Sequence, residues 1–439
     1  MKKSINFRLA SLATIAAAFL SVPAFALQRF PPPDFTSGYK LPTTTTPAVR
    51  AEIYSYIDIG VLFIALVLAA YFVLWKRSRR GIAGLSIFSL AYFGFYRHGC
   101  VCSIGAIQNI ALSIADSGYA LPIIVGVFFI LPLILALFAG RVFCAAVCPL
   151  GAAQDIVLLK PVKVPRGLAS FLGLIPWVYL GAAVLYAATG SAFIICRYDP
   201  FVSFFRMSGS LPMLIFSGVM LLTAVFVGRV YCRFLCPYGA ILRLLSPLAK
   251  WRVTITPDEC VQCRLCEDAC PFGEIRHPSP QQNMIKRDEG KKRLGLLLAL
   301  LPVLIAIVAG LGYISSGKLS QLNPTVRLAR SVYMEEQTGK HSLTKETEAF
   351  WKHGQPSPEL YRDALSIGKK FKLGAPIFGG WIGLVLGINL IGLSIRRQRI
   401  DYEADAAGCF ACGRCYMSCP VERARRGDSS AKKLLEELK

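Results

Sequence analysis

The sequence predicts an α-helical integral membrane protein that carries a small α+β module on one side of the membrane. Two observations support this fold class: the 439 residues are 54% hydrophobic, and 12 of the 15 cysteines lie in short, regular motifs. A bilayer core of about 30 Å requires stretches of about 20 apolar residues. We expect about seven spans, at 57–75, 82–97, 120–140, 168–188, 211–227, 294–314 and 375–395.

The N-terminus predicts a secretory signal peptide over residues 1–26. A basic start and an apolar stretch over 9–20 precede Ala-Phe-Ala at 24–26, which matches an A-x-A cleavage site. An uncleaved anchor helix is the alternative. Residues 27–56 are rich in Pro and Thr and are expected to form an extended periplasmic lead.

Charge predicts the orientation in a bacterial inner membrane. The formal net charge is +23, and the basic residues flank apolar stretches as they do in cytoplasmic loops, so we expect no nucleic-acid partner. The basic run 76–80 follows the first span and is expected in the cytoplasm. Alternation then places 141–167, 228–293 and 396–439 on the cytoplasmic side.

Two cysteine runs, at 260–271 and 409–420, share the spacing C-x2-C-x2-C-x3-C-P. In such a run three closely spaced thiolates wrap one [4Fe–4S] cluster, and the fourth points toward a second cluster. Two zinc sites are the alternative, although zinc usually uses two separated C-x2-C pairs. The expected ligands are Cys260, Cys263, Cys266 and Cys419 for one cluster, and Cys270, Cys409, Cys412 and Cys415 for the other.

The two runs are separated by two predicted spans, so both are expected on the same side of the membrane. We therefore predict one cytoplasmic α+β 2[4Fe–4S] ferredoxin module that is built from two distant segments. The predicted order after the lead is a membrane core (57–250), the first ferredoxin half (251–290), a transmembrane helix (294–314), a periplasmic loop (315–374), a second transmembrane helix (375–395) and the second ferredoxin half (396–439).

A repeated motif, G-R-V-[FY]-C-x3-C-P-[LY]-G-A, occurs at 140–152 and 228–240. Two predicted spans separate the copies, so both are expected at the cytoplasmic membrane face. Its four thiols would bind a further Fe–S cluster or another soft metal, and buried free thiols or a redox-active dithiol pair are the alternatives. These candidate ligands are Cys144, Cys148, Cys232 and Cys236.

A degenerate third copy of the motif follows the second predicted span, where Cys102 aligns with the second cysteine and His98 replaces the first. A full span is expected between Cys102 and Cys144, which would place them on opposite sides. A periplasm-facing metal site is one interpretation, and a Cys102–Cys196 disulfide or free thiols are the others. The metal candidates are His98, Cys100, Cys102 and Cys196.

No residue is expected to act as an acid or base. The chain contains four histidines and neither a C-x-x-C-H motif nor a P-loop, which disfavours haem and nucleotide chemistry. We therefore expect an electron-transfer component of an oxidoreductase system.

The G-R-V-x-C-x3-C-P pairs followed by a ferredoxin run resemble the NapH/NosR-like family of polytopic membrane 4Fe-4S ferredoxin proteins. This resemblance covers about residues 90–275. It implies iron–sulfur electron transfer between the quinol pool or a cytoplasmic donor and a periplasmic acceptor. Two features depart from the family: residues 27–56 are too short for the periplasmic flavin-binding domain of the NosR type, and the two ferredoxin runs are split.

The expected function is therefore to relay electrons between a cytoplasmic donor or the quinol pool and a periplasmic or membrane partner. Two alternatives remain open. One is an assembly or maturation factor that reduces metals or thiols of a periplasmic metalloenzyme, and the other is a regulatory sensor that responds to cluster loss.

Overall fold

A computed structural model describes residues 52–99, 102–206, 209–256, 260–278, 287–339, 344–352, 356–394 and 399–438. The predicted signal peptide and Cys100 lie outside these residues. The chain divides into two units, 1–61 and 62–439. Of the first unit, only the beginning of one helix is described.

The described residues are mostly helical. In the first half of the chain the α-helices are α1 (Glu52–Ala70), α2 (Arg79–Ser89), α3 (Ser103–Ala115), α4 (Ile123–Ala139), α5 (Pro149–Val157), α6 (Arg166–Leu172), α7 (Ile175–Ala188), α8 (Ile194–Tyr198), α9 (Pro200–Arg206), α10 (Leu211–Phe226), α11 (Val230–Phe234) and α12 (Pro237–Leu245). Three π-helices interrupt them, at Tyr71–Trp75, Leu90–Tyr96 and Phe143–Val147, and a 3₁₀ turn covers Ser246–Leu248.

The second half combines short ferredoxin elements with long helices. Its elements are α13 (Leu265–Ala269), β1 (Ile275–Arg276), α14 (Arg287–Ser320), α15 (Pro324–Thr338), α16 (Lys345–Lys352), α17 (Ser357–Ser394), β2 (Glu403–Ala404), α18 (Arg414–Ser418), α19 (Pro420–Arg425) and α20 (Ser429–Leu438).

Four helical segments are long and apolar enough to cross a membrane: Glu52–Trp75, Arg166–Ala188, Glu289–Ser320 and Ser357–Ser394. A fifth results if α9 and α10, which meet at 102°, count as one broken span. The predicted span 120–140 corresponds to α4, whose 17 residues measure about 26 Å. The span predicted at 82–97 is divided between α2 and a π-helix. The structure thus supports a membrane protein, and the number seven stays a prediction.

Helices α14 and α17 pack along each other through glycines. A Cβ atom on Gly383 of α17 would lie 2.9 Å from the Cα of Ile305 on α14, so the two backbones approach as closely as small residues allow. Helix α17 also contacts α7, where the Trp381 indole donates to the Trp177 carbonyl at 2.8 Å. These contacts connect the two long helices between the ferredoxin halves to the membrane core.

The two ferredoxin halves join in one small sheet. Strand β1 pairs with β2 in antiparallel register, with Ile275 opposite Ala404 and Arg276 opposite Glu403. Arg276 also donates to the Asp405 carboxylate at 2.6 Å and 3.2 Å. Burial raises the pKa of Asp405, but the hydrogen bonds and charge of Arg276 outweigh it and hold the pKa below its usual range. Segments that are distant in the sequence thus form one α+β unit.

Candidate metal centres

The two C-x2-C-x2-C runs adopt the same backbone conformation. In each run the residue before the second cysteine has a positive φ, 51° at Gln262 and 53° at Ala411. The residue after the second cysteine repeats this, with 64° at Arg264 and 75° at Gly413. These left-handed residues turn the chain tightly between the thiols. A short helix then begins in each run, α13 in the first and α18 in the second.

Each run contributes its fourth cysteine to the other run. Cys419 lines the same small cavity as the first three cysteines of the first run, Cys260, Cys263 and Cys266. Burial, together with the smaller effects of Cys260, Cys263 and Cys419, raises the pKa of the Cys266 thiol to about 12. Cys419 ends α18 and directly precedes Pro420, the first residue of α19, so it lies at the junction of two short helices.

The second set shows the reciprocal arrangement. Cys270 interacts electrostatically with Cys412, and both Cys409 and Cys415 interact with Cys270. Burial raises the pKa of Cys409 to about 12. Without a metal the Cys409 thiol is therefore protonated at neutral pH, and metal binding there has to displace the proton.

Among the described residues, no three His, Cys, Asp or Glu side chains are close enough to bind a single metal ion. The spacing C-x2-C-x2-C-x3-C-P is that of a [4Fe–4S] ligand run, whereas zinc usually uses two separated C-x2-C pairs. The donor chemistry agrees, because thiolates are the usual ligands of [4Fe–4S] clusters.

The cysteines of the C-x3-C-P repeats form a third, buried group. Cys148 caps α5 and Cys236 caps α12, each followed by a proline that starts the helix. The Gly239 amide donates to Cys236 Sγ at 3.3 Å. Cys148 interacts electrostatically with Cys144 and Cys232, and Cys236 interacts with all three other thiols. We refer to Cys144, Cys148, Cys232 and Cys236 as the four-cysteine site; all are buried.

A glutamine connects the two repeats within this site. Gln154 is fully buried, and its Nε2 donates to Cys232 Sγ at 3.4 Å. Its Oε1 accepts from the Tyr231 amide at 2.9 Å. The Gln154 side chain thus holds the backbone directly before Cys232 and also donates a hydrogen bond to the Cys232 sulfur. Gln154 was not recognised from the sequence, because a single Gln six residues after a cysteine is not a characteristic pattern.

The arginines of the two repeats reach across to the opposite repeat. Arg229 is fully buried and donates to the carbonyls of Cys144 and, at 3.0 Å, Ala145. Arg141 lies against Gly239, where a Cβ would meet its Nη2 at 3.5 Å. Both guanidiniums lower the pKa of the buried Cys232 thiol, although burial has the larger, opposite effect. They therefore favour a thiolate in the four-cysteine site.

The same two arginines have unused donors. The Nε atoms of Arg141 and Arg229 are buried and have no hydrogen-bond partner within the described part of the chain. Buried donors normally have partners. Two unpaired cationic donors beside four thiols fit an anionic, thiolate-ligated group at this position.

Aromatic residues of the ferredoxin halves cover these arginines. Phe272 directly follows the first run and Phe410 is the second residue of the second run, and their ring centroids are 5.0 Å apart. The Arg141 guanidinium lies 4.1 Å from the Phe410 centroid, and Arg229 lies 5.4 Å from it. Cys232 lines one cavity together with both phenylalanines. The ferredoxin module is therefore docked directly on the four-cysteine site.

A buried carboxylate strengthens this junction. Asp155 is 8% exposed and pairs with Arg79, with Arg414 at 2.9 Å and with Arg229 at 3.9 Å. Burial raises the pKa of Asp155, but the three guanidiniums outweigh this and hold it far below its usual value. Arg79 also donates to the Cys412 carbonyl at 3.1 Å. Asp155 therefore links the second ferredoxin half to the membrane core.

For the remaining metal candidates, the structure differs from what the sequence predicts. Cys102 and Cys148 line one cavity and interact electrostatically, so no full membrane span separates Cys102 from the four-cysteine site. The parity count fails here because α3, with 13 residues, is only about 20 Å long. Cys102 and Cys196 interact electrostatically and form no disulfide with each other. His98 is exposed, and Cys100 lies outside the described residues.

Two models of 4Fe-4S binding domains match the chain. One matches twice, over residues 121–166 and 210–256, which are the regions of the C-x3-C-P repeats. The other matches residues 253–273, the region of the first ferredoxin run. The family resemblance expected from the sequence is confirmed.

Several named proteins are similar to part of this chain. NirI of Paracoccus denitrificans is 29% identical over 46% of this chain and 32% of its own length. The regulatory protein NosR of Pseudomonas aeruginosa is 27% identical over 50% of the chain and 34% of its own length. The methylamine utilization ferredoxin-type protein MauN of Paracoccus denitrificans is 30% identical over 39% of the chain and 62% of its own length. The chain thus spans only about a third of NirI and NosR. No solved structure is significantly similar.

Proposed function

We propose that this protein is a membrane-bound iron–sulfur electron-transfer protein. It would relay electrons between a cytoplasmic donor or the quinol pool and a periplasmic or membrane partner. The observation that carries the proposal is the reciprocal exchange of Cys270 and Cys419 between the two ferredoxin runs. This exchange is the arrangement of a two-cluster ferredoxin, although the runs lie on either side of two long apolar helices.

The ligand sets follow from these neighbours. Cys419 would complete the set that begins with Cys260, Cys263 and Cys266, and Cys270 would complete the set of Cys409, Cys412 and Cys415. The [4Fe–4S] clusters would supply reversible one-electron transfer. The protein's own contribution is to bury the thiols, turn the loops tightly and exclude water, all of which set reduction potentials.

The four-cysteine site would hold a further iron–sulfur cluster next to the module. Its support is the convergence of four buried thiols with the unpaired donors of Arg141 and Arg229. The buried arginines compensate negative charge that would otherwise be costly inside the membrane core. Because Phe272 and Phe410 lie over these arginines, the site would accept electrons from the module across a short, dry contact.

The long apolar helices support a role in electron transfer at the inner membrane. The basic run 76–80 and the basic residues near both ferredoxin halves favour a cytoplasmic module. A redox protein at the membrane or in the periplasm is the simplest acceptor here.

The test compares matched serine variants of the full-length protein, purified anaerobically in detergent. Cys419→Ser is compared with Cys263→Ser, and Cys270→Ser with Cys412→Ser, by EPR of the reduced protein and by counting iron and acid-labile sulfide. We expect each pair to lose the same spectral component and about four irons. If Cys419→Ser instead matches Cys412→Ser, the crossed ligand sets are wrong.

Electron transfer itself is tested in proteoliposomes with ferricyanide trapped inside and dithionite outside. We expect the wild-type protein to reduce the trapped ferricyanide faster than liposomes alone. The double variant Cys270→Ser/Cys419→Ser should remove this difference. If wild-type protein with its full complement of iron reduces the trapped ferricyanide no faster than empty liposomes, the relay is contradicted.

A further inference from the structure

A second glutamine repeats the arrangement found in the four-cysteine site. Gln154 lies six residues after Cys148, and Gln108 lies six residues after Cys102. The Oε1 of Gln108 accepts from the amides of Ile195 at 2.9 Å and Cys196 at 3.4 Å. The Oε1 of Gln154 accepts from the amide that directly precedes Cys232. Cys196 therefore holds the position relative to Gln108 that Cys232 holds relative to Gln154.

The segments around these two cysteines are also alike. Cys196 is the central residue of the five-residue helix α8, Ile-Ile-Cys-Arg-Tyr, and Cys232 is the central residue of α11, Val-Tyr-Cys-Arg-Phe. Each helix leads to an extended residue before a proline. That residue is Cys236 in one copy and Asp199 in the other, with ψ of 113° and 112°. Asp199 thus replaces the second cysteine of the motif.

Cys102 completes the second copy. It caps α3 as Cys148 caps α5, and its thiol interacts with the Gly105 amide as that of Cys148 does with Gly151. A Cβ on Gly105 would lie 3.3 Å from Cys196 Sγ, so one turn of α3 is in contact with both thiols. Asp199 interacts electrostatically with Cys102.

One buried donor beside Cys102 and Cys196, the side-chain nitrogen of Gln108, lacks the hydrogen-bond partner that the corresponding nitrogen of Gln154 has. Gln108 is fully buried, and its Nε2 has no hydrogen-bond partner among the described residues. In the four-cysteine site the same atom of Gln154 donates to Cys232 Sγ. By this correspondence, the natural acceptor for Gln108 Nε2 is the sulfur of Cys196 in a ligated state.

We infer that Cys102, Cys196 and Asp199 form a second thiolate site, built on the plan of the four-cysteine site, that holds its own iron–sulfur cluster. This inference rests on the proposed electron-transfer function and leaves His98 out of the ligand set. A cluster is favoured over a single ion because the site shares the plan of the four-cysteine site, whose two repeats match a 4Fe-4S binding domain. Cys102, Asp199 and Cys148 line one cavity, so the two sites are neighbours.

The exposure of the site suggests its role. Cys196 is exposed, whereas the cysteines of the four-cysteine site are buried. A cluster at the second site would therefore lie closest to the surface on this side of the core. It would be the point at which a redox partner exchanges electrons with the protein, after transfer from the neighbouring four-cysteine site.

The experiment uses full-length protein purified anaerobically in detergent. Iron and sulfide are counted in the wild type and in Cys102→Ser, Cys196→Ser and Asp199→Asn, with Cys232→Ser for comparison. Asparagine retains a helix-capping oxygen at position 199 but removes the charge. We expect about sixteen irons in the wild type and about four fewer in each of the two cysteine variants, which should lack the same EPR component. Asp199→Asn should shift that component, and Cys232→Ser should remove a different one.

Alkylation provides a readout that is independent of iron. Cys196 should resist N-ethylmaleimide in the loaded protein and react once a chelator has removed the iron, as measured by peptide mass spectrometry. If Cys102→Ser and Cys196→Ser retain all iron with unchanged spectra, or if Cys196 reacts equally fast before and after chelation, the inference is overturned. About eight irons in the wild type would overturn it while leaving the ferredoxin pair intact, and fewer than about eight would contradict the proposed function itself.

Discussion

The guanidinium of Arg141 lies 4.1 Å from the ring centroid of Phe410, which joins the membrane repeat to the second ferredoxin half. Arg141 is only 4% exposed, so this cation–π contact is desolvated. Its guanidinium also donates to the Ala407 carbonyl at 3.4 Å, just before the second run begins. One side chain of the repeat thus holds both the backbone and the first aromatic residue of that run.

We therefore predict that Arg141→Ala loosens the second ferredoxin half from the core. A desolvated cation–π pair is worth about 2 kcal/mol, and that contribution is lost with the side chain. Hydrogen–deuterium exchange of the peptide covering 405–420 should become faster, while exchange in α14 should not change.

Arg141→Lys is the matched control, since it retains the charge but not the planar stacking group. It should give exchange intermediate between wild type and Arg141→Ala. Equal protection of 405–420 in all three proteins would mean that the contact with Phe410 does not hold the module.

A second prediction concerns Asp155, the buried carboxylate that faces three arginines. Asp155→Asn removes the only charge that compensates Arg79, Arg229 and Arg414 at this point among the described residues. Breaking a buried ion pair on one side costs about 3–5 kcal/mol. We expect a lower unfolding temperature in detergent and loss of iron from the second run first.

The comparison variant is Asp428→Asn, which removes a carboxylate that pairs with Arg423 at the surface near the C-terminus. Surface pairs contribute about 0–1 kcal/mol, so its unfolding temperature should stay close to that of the wild type. Similar losses in both variants would show that Asp155 has no special role at the junction.

The sequence predicted the ferredoxin module better than the sites in the membrane core. Thiol spacing is a local property, so both runs could be recognised from the sequence, and the structure places Cys419 beside the first run and Cys270 beside the second. Cys102 was assigned to the wrong side of a span because parity assumes complete crossings, whereas α3 is too short and the preceding segment ends in a π-helix.

The residues that connect the sites were not predictable from their neighbours in the sequence. Arg141 and Arg229 were visible as part of a repeated motif, but their reach into the opposite repeat depends on tertiary packing. Asp155 and Gln154 lie next to each other on α5, yet Gln154 contacts Cys232 whereas Asp155 contacts arginines at the junction with the module. Adjacent helical residues face different directions, which explains this difference. Asp199 could not be recognised as part of the motif in the sequence, because it stands where the motif has a cysteine.

A third prediction tests the packing of the two long helices between the ferredoxin halves. Gly383→Ala on α17 places a methyl group 2.9 Å from the Cα of Ile305 on α14, closer than atoms normally approach. Overpacking of this kind costs about 1–3 kcal/mol. The unfolding temperature in detergent should fall.

Gly392→Ala is the control on the same helix, because a Cβ at position 392 meets no atom within 4 Å. There the higher helix propensity of alanine should leave stability unchanged or raise it by about 1 kcal/mol. If Gly392→Ala destabilises as much as Gly383→Ala, the close contact between α14 and α17 is not the cause.

The last prediction uses the two glutamines as a matched pair. Gln154→Leu removes the donor to Cys232 Sγ, and a hydrogen bond to a ligating sulfur stabilises the more negative, reduced state. We therefore expect one redox couple to move to a lower potential in an EPR-monitored titration, with the ferredoxin couples unchanged. Gln108→Leu should lower a different couple, because the inferred second thiolate site would place its Nε2 beside the ligated sulfur of Cys196. A shift of the same couple in both variants would contradict two separate sites, and a shift confined to the ferredoxin couples would place neither glutamine beside a ligating sulfur.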